Sequence, residues 1–466
     1  MYEIVLYSCK YDFVQNIRKQ KRNFMNIQLS EHFTYRKLLR FTFPSIVMMV
    51  FSSIYGVVDG VFVSNFVGSE PFAAINLIMP FLMILGAVGF MLGTGGSALV
   101  AYTLGAGDEK RANEIFSLLI YVLIGLGLFF TVAGLIFLEP VSRLLGADEV
   151  MLPYCVAYGR IILLALVPFM LLNVFQSFLV VAERPNFGLY ITVIAGVSNM
   201  VLDALFIAVW KKGVAGAAMA TAISQWLGGT IPFLYFLLPN KGKLHLGRTH
   251  FEVRSLIKSC TNGASEFMTN ISMSVVNMLY NRQLMRLLGA DGVTVYGVIM
   301  YVNFIFIAIF LGYSIGSAPI VGYHYGAGHT DEVKGLLKKS MKLIAIMSLV
   351  LTALAEFTAR PLSMIFVSYN ADLLALTVRA FMIYSVSFLI SGFNIYASSF
   401  FTALNDGATS ALISFGRTLV FQIAAVLILP VFLDVDGIWG AVILAEALAG
   451  VLSAVCFVYN RKKYNY

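Results

Sequence analysis

Two aspartates lie deep inside long apolar stretches of the sequence, Asp59 in PSIVMMVFSSIYGVVDGVFVSNFVG and Asp203 in NFGLYITVIAGVSNMVLDALFI. A carboxyl group inside an apolar helix is energetically costly and usually serves a function. If two carboxylates meet in a low-dielectric pocket, either one of them takes up a proton or a sodium ion bridges them. The pair therefore predicts a site for a small cation.

Three further oxygen-bearing side chains are expected near these aspartates. Asn199 precedes Asp203 by one helical turn and shares its helix face. Tyr158 and Thr221 come early in two neighbouring apolar segments of opposite direction, which places them at a similar depth. Asp59, Tyr158, Asn199, Asp203 and Thr221 are thus the candidate cation-coupling residues, and all but Tyr158 are candidate Na+ ligands. The alternative for either aspartate is a place in the headgroup zone, in contact with water.

The composition is that of a membrane protein. Of 466 residues, 59% are hydrophobic and 12% are charged, whereas soluble domains carry about 25% charged residues. The four cysteines match no metal or redox spacing. Apolar runs of sufficient length predict twelve transmembrane helices, at 38–64, 72–104, 113–138, 152–182, 187–209, 215–238, 254–288, 293–325, 334–358, 373–404, 408–433 and 437–460.

Basic residues collect at alternate ends of these helices. They are densest in the N-terminal segment, in the stretch NKGKLHLGRTHFEVR at 240–254 and at the C-terminus. Because loops rich in Lys and Arg stay in the cytoplasm, both termini are predicted to be cytoplasmic, as an even number of spans requires. The net charge of +8 therefore indicates membrane topology and no nucleic-acid partner.

The chain also repeats itself. Gly105-Ala106-Gly107 recurs 221 residues later as Gly326-Ala327-Gly328, and Tyr102 recurs as Tyr323. A repeat of six helices returns the chain to the same side of the membrane, so the two copies should be related by a pseudo-two-fold axis along the membrane normal. Each Gly-Ala-Gly is expected to end a helix.

These observations predict an all-α membrane protein of two six-helix bundles. The N-lobe is residues 36–238, helices 1–6, and the C-lobe is residues 254–460, helices 7–12. A cytoplasmic linker, 239–253, joins the lobes, and residues 461–466 form a cytoplasmic tail. Residues 1–35 form a cytoplasmic N-terminal segment, which is either disordered or an extension ahead of a start at Met25.

The second copy lacks the aspartate pair. Tyr280 stands where the repeat would place a counterpart of Asp59, and Ala424 where it would place one of Asp203. The cation site is therefore assigned to the N-lobe alone.

The C-lobe has buried charges of its own. Glu266 is expected to face either the central cavity, where it would attract a cationic substrate, or a hydrogen-bonded bundle. Arg417 is expected to extend towards the cytoplasmic face, where its charge would meet water. Glu446 is equally compatible with a structural and a functional role.

Together with GTGGSALVAYTLGAG at 93–107, the two quoted stretches resemble the multidrug and toxic compound extrusion (MATE) family, in the subgroup of small bacterial multidrug exporters, over about residues 30–460. The resemblance implies export of bulky, often cationic, amphipathic compounds in exchange for H+ or Na+ by alternating access. It also implies that Asp59, Asn199 and Asp203 form the cation site, with Tyr158 and Thr221 in support. Some relatives pair a Glu in helix 7 with an Asp in helix 10; Glu266 fits the first, but helix 10 has no acid.

Two other classes of protein fit the sequence less well than an antiporter does. A flippase for a lipid-linked precursor or polysaccharide should have a basic cavity for phosphates, but the acids inside the predicted spans favour cation handling. A membrane enzyme or channel is disfavoured, because the sequence has no P-loop and no catalytic or metal-binding motif. No cofactor and no ATP are expected, and a monomer suffices.

Overall fold

The computed structural model describes residues 27–240 and 242–466; the predictions made for residues 1–26, including the choice of start, lie outside that part. The first half forms six helices, as predicted. They are α1 Tyr35–Phe66, α2 Ser69–Gly105, α3 Glu109–Leu144, α4 in two pieces Leu152–Leu164 and Leu166–Val181 bent by 55°, α5 Pro185–Val209 and α6 Gly213–Leu237.

The second half also forms six helices. They are α7 253–288, α8 290–326, α9 Thr330–Val367, α10 in two pieces Ala371–Ser385 and Phe388–Ala403 bent by 47°, α11 407–433 and α12 435–464. Gly289 and Asp434, which both have positive φ, separate α7 from α8 and α11 from α12. The predicted fold class is confirmed, although α3 and α9 extend further than their apolar runs.

Most of these helices are long and apolar enough to cross a membrane. Seven continuous helical stretches of the described residues meet that test, and nine do if each bent pair counts as one span. Two of the seven, Val253–Gly326 and Gly407–Tyr464, each contain two of the twelve helices.

The ends of α2 and α8 occur where the repeated Gly-Ala-Gly predicts them. α2 ends at Gly105 and α8 at Gly326, and the closing glycines, Gly107 and Gly328, have φ of 85° and 73°. Glycine adopts positive φ without a steric penalty, which suits it to the end of a helix. The repeat is therefore a repeat of local structure.

The two lobes meet at this same end of the molecule. A Cβ atom on Gly105 would overlap the backbone carbonyl of Tyr323, and one on Gly326 would overlap that of Tyr102. Because each residue of one contact is the repeat partner of a residue in the other, the contact has pseudo-two-fold symmetry. Glycine is required at both positions because two helix backbones approach each other without room for a side chain.

Segments that precede the first helix of each lobe cross to the third helix of the other. Ahead of α1, the fully buried Phe33 donates its N–H to Glu332 at 2.9 Å and accepts from Lys339 Nζ at 2.6 Å. Ahead of α7, Glu252 pairs with Arg111 of α3 at 3.0 Å. These contacts reinforce the association of the lobes at the end where the backbones touch.

Candidate cation site

Asp59 and Asp203 come together inside the N-lobe. Asp59 is half-buried on α1, and Asp203 on α5 is fully buried. Their carboxyl groups lie within electrostatic range of each other. Asp59 Oδ1 and both oxygens of Asp203 are buried, and none of them has a hydrogen-bond partner among the described residues. The pair thus concentrates acceptor oxygens at one point and supplies no donor for them.

The sequence of α5 explains why α1 and α5 can approach so closely. Gly196 lies two turns before Asp203, and a Cβ atom there would lie 2.6 Å from the ring of Phe51 and 2.8 Å from that of Tyr55, both on α1. Directly after Asp203 the helix changes to a π turn, Ala204–Val209. Such turns are frequent at functional sites, because they alter the register in which a helix presents its side chains.

The other three predicted residues join the same cluster. Asn199 is buried, and its Nδ2 donates to Thr221 Oγ1 of α6 at 3.5 Å, while its Oδ1 has no partner in the described part of the chain. The buried Tyr158 of α4 lies within electrostatic range of both aspartates. Four helices of the N-lobe therefore contribute oxygen atoms to one polar cluster.

Two tyrosines beside this cluster were not anticipated. Tyr55 lies on α1 one turn before Asp59 and within electrostatic range of it; its i, i+4 spacing could have revealed it. Tyr301 belongs to α8 of the C-lobe, and its hydroxyl would lie 3.5 Å from a Cβ atom on Gly60. No sequence pattern relates Tyr301 to Asp59, because their proximity depends on how the lobes pack. The candidate cation site therefore lies beside the boundary between the lobes.

The corresponding region of the C-lobe is neutral. Tyr280 accepts a hydrogen bond from Gln422 Nε2 at 2.8 Å and stacks on Tyr296 with a centroid separation of 4.8 Å. Aromatic rings fill the position that carboxylates occupy in the N-lobe, in agreement with the divergence of the two copies.

Glu266 stands apart from these groups. It is half-buried on α7, three residues after Gly263, where a Cβ atom would overlap the backbone of Met91 on α2. Its carboxyl group has no hydrogen-bond or ion-pair partner among the described residues, and Arg417 is a nearby cation. Glu266 is therefore an acid close to the lobe interface that has no direct partner in the described structure.

The sequence position of Arg417 suggested that its side chain extends to the cytoplasmic face, but in the structure it does not. Its Nε donates to both carboxylate oxygens of Glu446, at 2.8 and 3.0 Å. The carboxylate of Glu446 on α12 holds the guanidinium inside the lobe. The expectation for Arg417 was therefore wrong.

The sequence matches the model of a known protein family twice, once in each lobe. The MatE family model matches residues 44–205 and again residues 267–428. The chain belongs to the MatE family. Both matches lie within single lobes, and the first contains Asp59, Tyr158, Asn199 and Asp203.

Curated relatives of this MatE protein are multidrug exporters. It is 24% identical over 433 residues to the multidrug export protein MepA of Staphylococcus saprophyticus, with 91% of this chain and 93% of the relative covered. It is also 24% identical over 441 residues to MepA of Staphylococcus aureus, with the same coverage. The MatE protein is accordingly a multi-pass membrane transporter of the multidrug-exporter family, not an enzyme.

Solved structures of the family share the fold. One described as the outward-facing conformation of a multidrug resistance MATE family transporter aligns with a TM-score of 0.87 at 23% identity, over 93% of this chain and 97% of that one. A MATE structure in complex with MaL6 aligns equally well, at 22% identity and the same coverage. At such identities the likeness establishes the arrangement of helices and leaves the chemistry to the residues of this chain.

Proposed function

We propose that this MatE protein is an antiporter of the cell membrane that exports amphipathic, often cationic, organic compounds in exchange for H+ or Na+. It works as a monomer by alternating access, with both termini in the cytoplasm, residues 36–238 and 254–460 as its lobes and 239–253 as their linker. The observation that carries the proposal is the pair Asp59–Asp203, in which three of the four carboxyl oxygens are buried without a hydrogen-bond donor among the described residues.

The pair needs a positive charge from outside the protein. Moving an ionised carboxylate out of water is so unfavourable that buried charges are found paired, metal-bound or neutralised by a proton. In the N-lobe the described residues supply no cation to Asp59 or Asp203. A proton or a metal cation could be taken up here from one side of the membrane and released on the other. Binding and release of that ion would therefore change the stability of this site as the transporter changes conformation.

The same residues can accommodate either ion. A proton would lie between the two carboxyl groups and supply the missing donor. A sodium ion would take oxygen ligands from Asp59 and Asp203, the free Oδ1 of Asn199 and the hydroxyl of Thr221, all of which are hard ligands of the kind that such cations prefer. Tyr158 would support the site by donating its hydroxyl proton to a carboxylate.

The preference for cationic substrates rests on Glu266. Its carboxyl group lies near the lobe interface without a direct partner in the described structure. An organic cation between the lobes would meet an acid that has no direct partner. Loss of water around the cation and the Glu266 carboxylate would strengthen their attraction.

The experiment that tests the proposal is efflux of a fluorescent organic cation from cells that lack their main pumps, followed by transport in proteoliposomes under an imposed pH or Na+ gradient. Asp59→Asn and Asp203→Asn should abolish gradient-driven transport at normal expression. Asp291→Asn, which removes an exposed acid at the start of α8, is the matched control and should transport normally. The gradient that drives wild-type transport identifies the ion.

Transport that survives both substitutions would refute the coupling role of the pair. No export of organic cations by the wild-type protein would refute the substrate class, and it would direct attention to flipping of a lipid-linked precursor, which can be measured with a labelled lipid in the same vesicles.

A further inference from the structure

The C-lobe contains a buried ion pair within a complete hydrogen-bond network. Arg417 of α11 binds both oxygens of Glu446 of α12, and the exposed fractions of the two side chains are 18% and 6%. Asn394 of α10 donates to Glu446 Oε2 at 2.7 Å and to its backbone carbonyl at 2.9 Å. Ser453 donates to Asn394 Oδ1 at 3.0 Å. Three helices are thus joined by charge-assisted hydrogen bonds.

The same layer of the N-lobe has no such pair. The repeat places Gly196 opposite Arg417 and Gln225 opposite Glu446. Gly196 is packed so tightly against Phe51 that no arginine could stand there, and Gln225 Oε1 is buried without a partner in the described structure. In the described structure Glu446 of the C-lobe therefore has its own cation, whereas Asp59 and Asp203 of the N-lobe have none.

We propose that Arg417 is a built-in counter-ion of the C-lobe. Its guanidinium neutralises Glu446, as the exchanged cation neutralises the aspartate pair of the N-lobe. Glu446 therefore takes up no ion, and the N-lobe alone responds to the coupling ion. This inference rests on the proposed antiport. It assigns Arg417 as a positioning residue that limits ion uptake to one site, and it makes the C-lobe the half whose internal packing is independent of ion binding.

The surroundings of Glu446 leave Arg417 as its one cationic partner in the described structure. Tyr384 of α10 lies near both charges, but a tyrosine has no cationic form. Glu266 of α7 is the other acid near Arg417, but it makes no contact with the guanidinium. If Arg417 lost its charge, Glu446 would be left as a buried carboxylate with only an amide donor, and it would require a proton or a metal cation.

The test measures thermal unfolding of the purified full-length protein from mildly acidic to mildly alkaline pH, with and without Na+. All proteins carry both Asp59→Asn and Asp203→Asn, which remove the acids of the N-lobe site and with them its response to ions. The melting temperature of this parent should not depend on Na+. Adding Arg417→Gln should lower the melting temperature at alkaline pH, and acid or Na+ should restore it. Adding Glu446→Gln to that variant should abolish the new ion dependence, because the side chain that lost its counter-ion then carries no charge.

Two results would overturn the inference. In one, Arg417→Gln shows no new dependence on pH or Na+ beyond the parent. In the other, the parent already responds to the ion and Glu446→Gln removes that response, which would make Glu446 an ion ligand in the natural protein.

A separate readout covers the case in which Arg417→Gln does not fold. Glu446→Gln alone, in the otherwise natural protein, should leave the dependence of transport on coupling-ion concentration unchanged, and a weakened dependence would contradict the inference. Absence of any gradient dependence in wild-type transport would instead refute the proposed antiport, which the unfolding measurements do not test.

Discussion

Replacing Gly105 with alanine should open the contact between the lobes at the predicted cytoplasmic end. The added Cβ would stand 2.8 Å from the carbonyl carbon of Tyr323 and closer still to its oxygen, whereas carbon atoms in contact are about 3.5–4.0 Å apart. Because the obstacle is backbone, α2 and α8 must separate by about 1 Å. Overpacking of this kind costs about 1–3 kcal/mol, which corresponds to about a 5- to 150-fold shift between two conformations.

The pseudo-two-fold symmetry predicts the same effect for the repeat partner, Gly326. A Cβ on Gly326 would stand 2.8 Å from the carbonyl carbon of Tyr102, so Gly326→Ala should shift the equilibrium to a similar extent. Gly125→Ala is the matched control, since it adds the same methyl group to a helix where nothing lies within 4 Å of the new atom.

A natural cysteine can report the opening. Cys260 lies on α7 beside the lobe contact, is partly exposed and forms no disulfide in the described structure. With the other three cysteines replaced by serine, an impermeant maleimide applied from the cytoplasmic side should label Cys260 faster in Gly105→Ala and Gly326→Ala than in Gly125→Ala. Equal labelling rates in all three variants would refute the argument that backbone contact at these glycines holds the lobes together.

Three further outcomes follow from single contacts. Glu266→Gln should raise the KM for a monovalent organic cation about tenfold, or about 1.4 kcal/mol, and leave that for a neutral substrate unchanged; equal effects on both would contradict a charge-based role. Glu332→Gln should loosen the segment that precedes α1 and speed trypsin cleavage after Arg36 and Lys37, at the start of α1, whereas Asp331→Asn, an exposed neighbour, should not. Asp406 caps α11 and accepts a hydrogen bond from Tyr464 at 2.7 Å, so Asp406→Ala should cost about 1 kcal/mol. It should also loosen the last turn of α12 and speed trypsin cleavage after the exposed basic residues there, and unchanged cleavage would argue against this docking. Burial alone would raise the pKa of Asp406, but the Tyr464 hydroxyl and Thr409 hold it below its ordinary value of 3.8, so this stabilisation is present above that pH and is lost as pH falls below it.

Much of the cation site could be predicted because the relevant information is local. The direction of each helix follows from counting spans, and the distance along a helix follows from counting residues. Together these place Asp59, Asp203, Tyr158 and Thr221 at similar depth, and the spacing of four places Asn199 on the face of Asp203. The structure brings all five together, and their role in ion coupling stays a prediction.

The rest of the site could not be predicted, because depth does not specify rotation about the helix axis. Arg417 illustrates this limit: its depth suggested an escape to water, but its direction is set by how α11 packs against α12, and that packing presents Glu446. Tyr301 illustrates the same limit between lobes, since it reaches the neighbourhood of Asp59 only after the two bundles associate.

The sequence by itself determined the membrane class, the twelve helices, the two-fold repeat and the presence of acids that need a counter-charge, because apolar length and periodicity decide these locally. The tertiary structure alone decided which charges are already neutralised. Charge compensation acts over a few ångströms between helices that are far apart in the chain. Only packing could therefore show that Glu446 has its own cation and that, among the described residues, Asp59 and Asp203 have none.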